Sequence, residues 1–83
     1  MTLDKVRRGM WATVSRLPEG ATKAQMTRFG LGEGEVIQCS EVLSRGPVVV
    51  RKGTLEVAVG RRLAEQIEVT PGDDTRPGGG EGR

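Results

Sequence analysis

Histidine and tyrosine are missing from this 83-residue chain, and cysteine, tryptophan and phenylalanine occur once each. Without histidine the chain lacks the commonest general base and the commonest metal ligand. A serine, threonine or cysteine nucleophile would have no imidazole to activate it. The single thiol, Cys39, cannot form an internal disulfide, and in strand-like sequence it reads as a small hydrophobe. A zinc site needs about four nitrogen or sulfur donors, which these residues cannot supply. Two aromatic side chains are too few to line a proline-peptide groove or to stack a series of bases. The longest apolar run is Pro47–Val50, far short of the roughly 20 residues of a membrane span. The opening MTLDKVRRGMW carries charge with no apolar block behind it, so a secretory signal is not expected. Together these point to a non-catalytic cytoplasmic domain of bacterial type, with neither metal site nor cofactor.

What is present is short strand material with one helix set into it. Leu3 and Val6 form a lead-in segment at one end of the core. Met10–Arg16 alternates, with Met10, Ala12 and Val14 on one face and Trp11, Thr13 and Ser15 on the other, which predicts a strand. Pro18 and Gly20 break it. A two-turn helix follows, with Thr22 as N-cap and Gln25 completing a capping box. Met26 and Phe29, three apart, share a face and are expected in the core. Gly30 supplies the left-handed residue that stops the helix, and Leu31 the apolar contact after it. Gly32-Glu33-Gly34 turns the chain into a strand over 35–40. A third strand covers 47–51, a Lys52-Gly53-Thr54 hairpin loop follows, and Leu55, Val57 and Val59 mark the clearest period-two pattern. Gly60–Gln66 reads as a helical turn with Leu63 and Ala64 inward, and Ile67 and Val69 as a closing strand. The fold class is therefore mainly β, a small, partly open SH3-like barrel of about five strands. One short helix follows the first strand, and a helical turn precedes the last.

From Pro71 the composition shifts. PGDDTRPGGGEGR offers no apolar side chain beyond proline, so residues 70–83 are expected to be a disordered tail behind a domain spanning 1–69. The adjacent Asp73 and Asp74 make at most an unselective hard-cation site. Net charge is +2; through Val69, 11 basic and 8 acidic residues leave a surplus of three, mild for a nucleic-acid binder. The glycines of Gly30–Gly34 follow a helix and precede a strand, the reverse of the order in a phosphate loop, so they read as a helix stop and turn.

The order of these elements resembles the FeoA family. The carrying residues are Leu3 and Val6 ahead of Gly9; Met26-x-x-Phe29-Gly30-Leu31; Gly34 before Val36-Ile37; Gly46-Pro47; the Gly53 hairpin; Ala58-Val59; and Ala64-x-x-Ile67-x-Val69. The match spans residues 3–69. It departs at Gln25-Met26, where the family often has arginine-leucine, and at Val59, where it often has leucine. The resemblance implies an SH3-like barrel that supports ferrous-iron uptake through protein contact with the membrane permease FeoB, at its cytosolic GTPase region. The docking surface is expected around the helix and its exit, at Lys23, Arg28, Leu31 and Glu33, with Trp11 as a further contact. The competing reading is a nucleic-acid binder using Arg7, Arg8, Arg51, Lys52, Arg61 and Arg62, whose affinity would fall steeply with salt. Weak self-association through an uncovered strand edge is compatible with either reading.

Overall fold

The computed structural model describes residues 1–72; the remainder of the expected tail lies outside them. A 3₁₀ turn over Leu3–Lys5 opens the chain. It is followed by β1 (Trp11–Arg16), α1 (Ala21–Arg28), β2 (Val36–Val42), β3 (Val48–Lys52), β4 (Leu55–Val59), α2 (Arg61–Ala64) and β5 (Glu68–Pro71). All five strands join one antiparallel sheet in the order β4-β3-β2-β1-β5. β5 runs through Thr70 and Pro71, two residues past the boundary that composition suggests at Val69. Pairing with β1 orders them even though their side chains remain exposed.

Each strand buries alternate residues because successive side chains point to opposite faces of a sheet. Ala12 and Val14 of β1, Ile37 and Cys39 of β2, Val48 and Val50 of β3, Val59 of β4 and Val69 of β5 meet in one core with Leu3, Val6, Leu17, Met26, Leu31, Ala64 and Ile67. Two bulges curl the sheet. Val14 pairs with Val69 and Arg16 with Glu68, so Ser15 is extra; Cys39 pairs with Val50 and Glu41 with Val49, so Ser40 is extra. A bulge bends its strand and raises the local twist. Both extra residues are serines that find local partners: Ser40 Oγ donates to the Val49 carbonyl at 3.3 Å, and Ser15 Oγ lies 2.6 Å from Thr70 Oγ1.

The helix stop is as the sequence predicts. Gly30 takes φ 84°, its N–H donates to the Thr27 carbonyl at 3.0 Å, and the Leu31 N–H reaches the Met26 carbonyl at 2.8 Å. This is a Schellman pair, and it folds Leu31 inward onto the core. The helix start differs from expectation. The Pro18-Glu19-Gly20 turn runs straight into the first turn, so Gly20, at φ 109°, is the N-cap and no side chain caps the helix. Thr22 falls inside α1 instead of heading it. Phe29 also departs from its expected place: it is 48% exposed, whereas Met26 is buried.

The two lateral edges of the sheet are treated differently. On the β5 side the chain's first residues lie alongside: Leu3 N–H donates to the Ile67 carbonyl at 2.9 Å and Val69 N–H to the Met1 carbonyl at 2.7 Å. α2 is held down by Arg61, whose guanidinium donates to the carbonyls of Leu43 at 2.7 Å and Asp4 at 3.4 Å. β4, at the other edge, has no further strand beside it among the described residues.

Candidate functional site

The side chains of α1 determine what the open edge looks like. Thr22, Gln25, Met26 and Phe29 recur at helical spacing, so one stripe of α1 faces β4 across a groove of about 230 Å³. The opposite wall is Leu63 of α2, and the floor is Leu31 with Val57–Val59 of β4. Phe29 stands half out of this groove. A large aromatic left half-exposed beside other apolar groups is the feature that most often marks a protein contact.

The five residues expected to form the docking surface are not one patch. Leu31 is only 1% exposed, so it serves as the groove's floor and not as a surface contact. Its place after Gly30 explains the correction, because the residue at that position turns back over the helix. Lys23 and Glu33 do come together: Lys23 Nζ lies 3.2 Å from Glu19 Oε2 and 3.6 Å from Glu33 Oε2. Glu33 also accepts the Leu17 N–H at 3.0 Å. That backbone hydrogen bond, with Lys23 adding to it, lowers the Glu33 pKa. Lys23 is raised, chiefly by its hydrogen bond to Glu19. The pair therefore ties the β1–α1 turn to the α1–β2 loop. Arg28 is exposed, with no ion pair among the described residues. Trp11 is half-buried and lines a separate hollow of about 260 Å³ with Gly9, Met10 and Gly72.

Of the six basic residues of the nucleic-acid reading, four are engaged locally. Arg8 lies 4.0 Å from Glu41, Arg51 3.1 Å from Glu56 and Lys52 3.2 Å from Glu35, while Arg61 holds backbone carbonyls. That leaves Arg7 and Arg62 as the exposed cations of this set without an ion pair among the described residues, few for neutralising a phosphate backbone. Cys39 is 3% exposed inside the core, and burial pushes its thiol pKa up, which suits packing better than reactivity. Among the described residues no three His, Cys, Asp or Glu side chains gather as a metal site would require, and no helix is long and apolar enough to cross a membrane.

The groove residues Phe29, Val57 and Leu63 escape a reading of the sequence. The available signal was the spacing of Thr22, Gln25, Met26 and Phe29, which defines a stripe without saying how far it overhangs the sheet.

Compared with known proteins, the chain matches the FeoA domain family model over residues 1–71. The chain belongs to the FeoA family. This makes it a small protein associated with ferrous-iron transport, built on the mainly β fold of its relatives. An iron uptake regulatory protein (FeoA) solved by crystallography is 26% identical, with a TM-score of 0.74, covering 86% of this chain and 96% of its own. The FeoA protein from Chlorobium tepidum is 27% identical, with a TM-score of 0.77, over 99% of this chain and 82% of its own. Iron(II) transport protein A from Clostridium thermocellum is 27% identical, with a TM-score of 0.75, over 86% of this chain and 45% of its own. No curated protein matches the chain.

Proposed function

We propose that this FeoA chain is a cytoplasmic, non-catalytic docking module that supports ferrous-iron uptake by binding the cytosolic GTPase region of the permease FeoB. The observation that carries the reading is the groove between α1 and β4, with Phe29 48% exposed at its lip and an apolar floor beneath. Burying such a side chain in a partner is favourable by roughly 25 cal/mol per Å² of apolar surface removed from water. An aromatic at the centre of a contact often carries a large share of its affinity. Arg28 of α1 is an exposed charge next in sequence to Phe29, whereas Lys23 of α1, paired with Glu33 of the α1–β2 loop, forms a separate polar contact of the proposed surface.

The test is binding of the purified chain to the isolated GTPase region of FeoB, by calorimetry or pull-down. Phe29→Glu should weaken the complex by about tenfold or more, the equivalent of at least ~1.4 kcal/mol. Charge reversal at Arg28 should act more weakly, as rim charges do. Wild-type affinity in Phe29→Glu would remove the groove from the contact.

A further inference from the structure

We propose that the tip of the β2–β3 hairpin is a membrane-facing surface, on which Leu43 enters the interface of a bilayer while Arg45 and its basic neighbours bind anionic lipid headgroups. The proposal does not depend on the groove. Leu43 to Gly46 form a β-turn, in which the Gly46 N–H donates to the Leu43 carbonyl at 2.9 Å. The third residue of that turn is Arg45, at φ 60°, the only non-glycine residue with a positive φ among the described residues. Glycine or asparagine usually takes this place, because other side chains are strained there. Strained residues cluster at functional sites, and here the strain holds an arginine at an exposed tip. Leu43 is 46% exposed and lies outside the core, although its stem is packed: a Cβ on Gly46 would come within 3.1 Å of the Leu43 Cβ.

The fold gathers positive charge around this tip. Val42 pairs with Val48 and Val48 with Val59, which brings the tip beside Gly60 at the start of α2. From there Arg61 reaches the Leu43 carbonyl at 2.7 Å and the Asp4 carbonyl at 3.4 Å, so α2 and the 3₁₀ turn both adjoin the hairpin. Lys5 is matched by Asp4 and Arg8 by Glu41, each at 4.0 Å. Arg45, Arg61 and Arg62 then stand against Glu65, three cations to one acid and a surplus of two. Asp73 and Asp74 follow β5, which β1 and β2 separate from β3 in the sheet. An apolar side chain set among cations suits the boundary between headgroups and acyl chains. The tip residues line neither hollow, so a protein partner would have to supply the whole cavity for Leu43. A bilayer shapes itself to a protruding side chain. A nucleic acid would leave Leu43 unused, and no aromatic stands at the tip to stack on a base.

The test is cosedimentation of the full chain, at low salt, with vesicles of phosphatidylcholine mixed with phosphatidylglycerol. Vesicles of phosphatidylcholine alone and a duplex oligonucleotide are the comparison probes. The chain should pellet with the anionic vesicles at millimolar lipid and stay in solution with the neutral ones. Arg45→Gly should lower binding about fivefold, while the thermal midpoint holds or rises because the strain leaves with the side chain. Leu43→Ser should lower binding several-fold at unchanged charge. Arg28→Gln removes the same charge elsewhere, since Gly30 after α1 lies by Lys52 at the other end of β3, and should change binding by less than about twofold. Equal losses in Arg45→Gly and Arg28→Gln would reduce the effect to net charge and overturn the proposal. Wild-type binding in Leu43→Ser, or no pelleting at millimolar anionic lipid, would also overturn it. Oligonucleotide binding that Arg45→Gly weakens, with no vesicle binding, would make the tip a nucleic-acid contact and overturn it too. Affinity for the FeoB domain without lipid should be unchanged in Leu43→Ser, so the groove and the hairpin tip stand or fall separately.

Discussion

The edge at β5 and the edge at β4 end the same sheet in different ways. At β5, Met1 and Leu3 supply backbone partners to Val69 and Ile67, and Leu3 fills the core beneath them. At β4, α1 and α2 approach with side chains only and leave a groove between them. The first edge is stabilised by hydrogen bonds and burial within the chain. The second leaves backbone groups and an aromatic side chain available to another molecule. A free edge invites unwanted pairing as well as useful pairing, and this one is kept short at five residues, with Glu56 exposed on it.

The contrast can be broken most forcefully at Leu3. Leu3→Ala removes a side chain that is 1% exposed and should lower unfolding free energy by about 3 kcal/mol in urea melts, a large share of what so small a domain has. Amide exchange sharpens the same comparison, because Leu3 and Val69 should be protected well above Glu56 and Ala58 in the isolated chain. An intermediate effect is expected at Gly30, where φ is 84°. Gly30→Ala should cost about 1 kcal/mol in thermal unfolding and loosen the α1 wall of the open edge. Phe29→Ser, at the groove itself, should change stability by less than about 1 kcal/mol while weakening partner binding.

The smallest effect is a pH dependence at Glu33. Its carboxyl is held below the ordinary value by the Leu17 N–H, so its contribution is fully present above pH 4.5 and is lost as pH falls through the lowered folded-state pKa. Glu33→Gln, which keeps an acceptor for Leu17, should flatten that part of an acid titration followed by circular dichroism.

Most of the fold was legible because its signals are local. The alternation of Leu55, Val57 and Val59, the glycine at 53 and the glycine at 30 each dictate backbone geometry within a few residues, and strand and turn boundaries fell close to expectation. The start of α1 was misread because Gly20 follows Pro18 too closely for a separate cap, and the helix begins before Thr22 can head it. The site was harder to read because burial is a property of distance from a sheet, not of spacing along a helix. Met26 and Phe29 share a face, yet only Met26 lies over the sheet and Phe29 projects past its rim. Leu31 was misplaced outward for the opposite reason, since the turn at Gly30 redirects it beneath the helix.

Ser15 and Ser40 carry a consequence for chain length. Inward positions are even at Ala12 and Val14 of β1 and become odd at Leu17, the residue just past its end; in β2 they are odd at Ile37 and Cys39 and become even at Val42. Each serine thus acts as a phase shifter, a single added count that lets both halves of its strand face inward. Trimming either one would turn Leu17 or Val42 towards solvent, so loss of a small polar residue would do more harm here than many substitutions within the core.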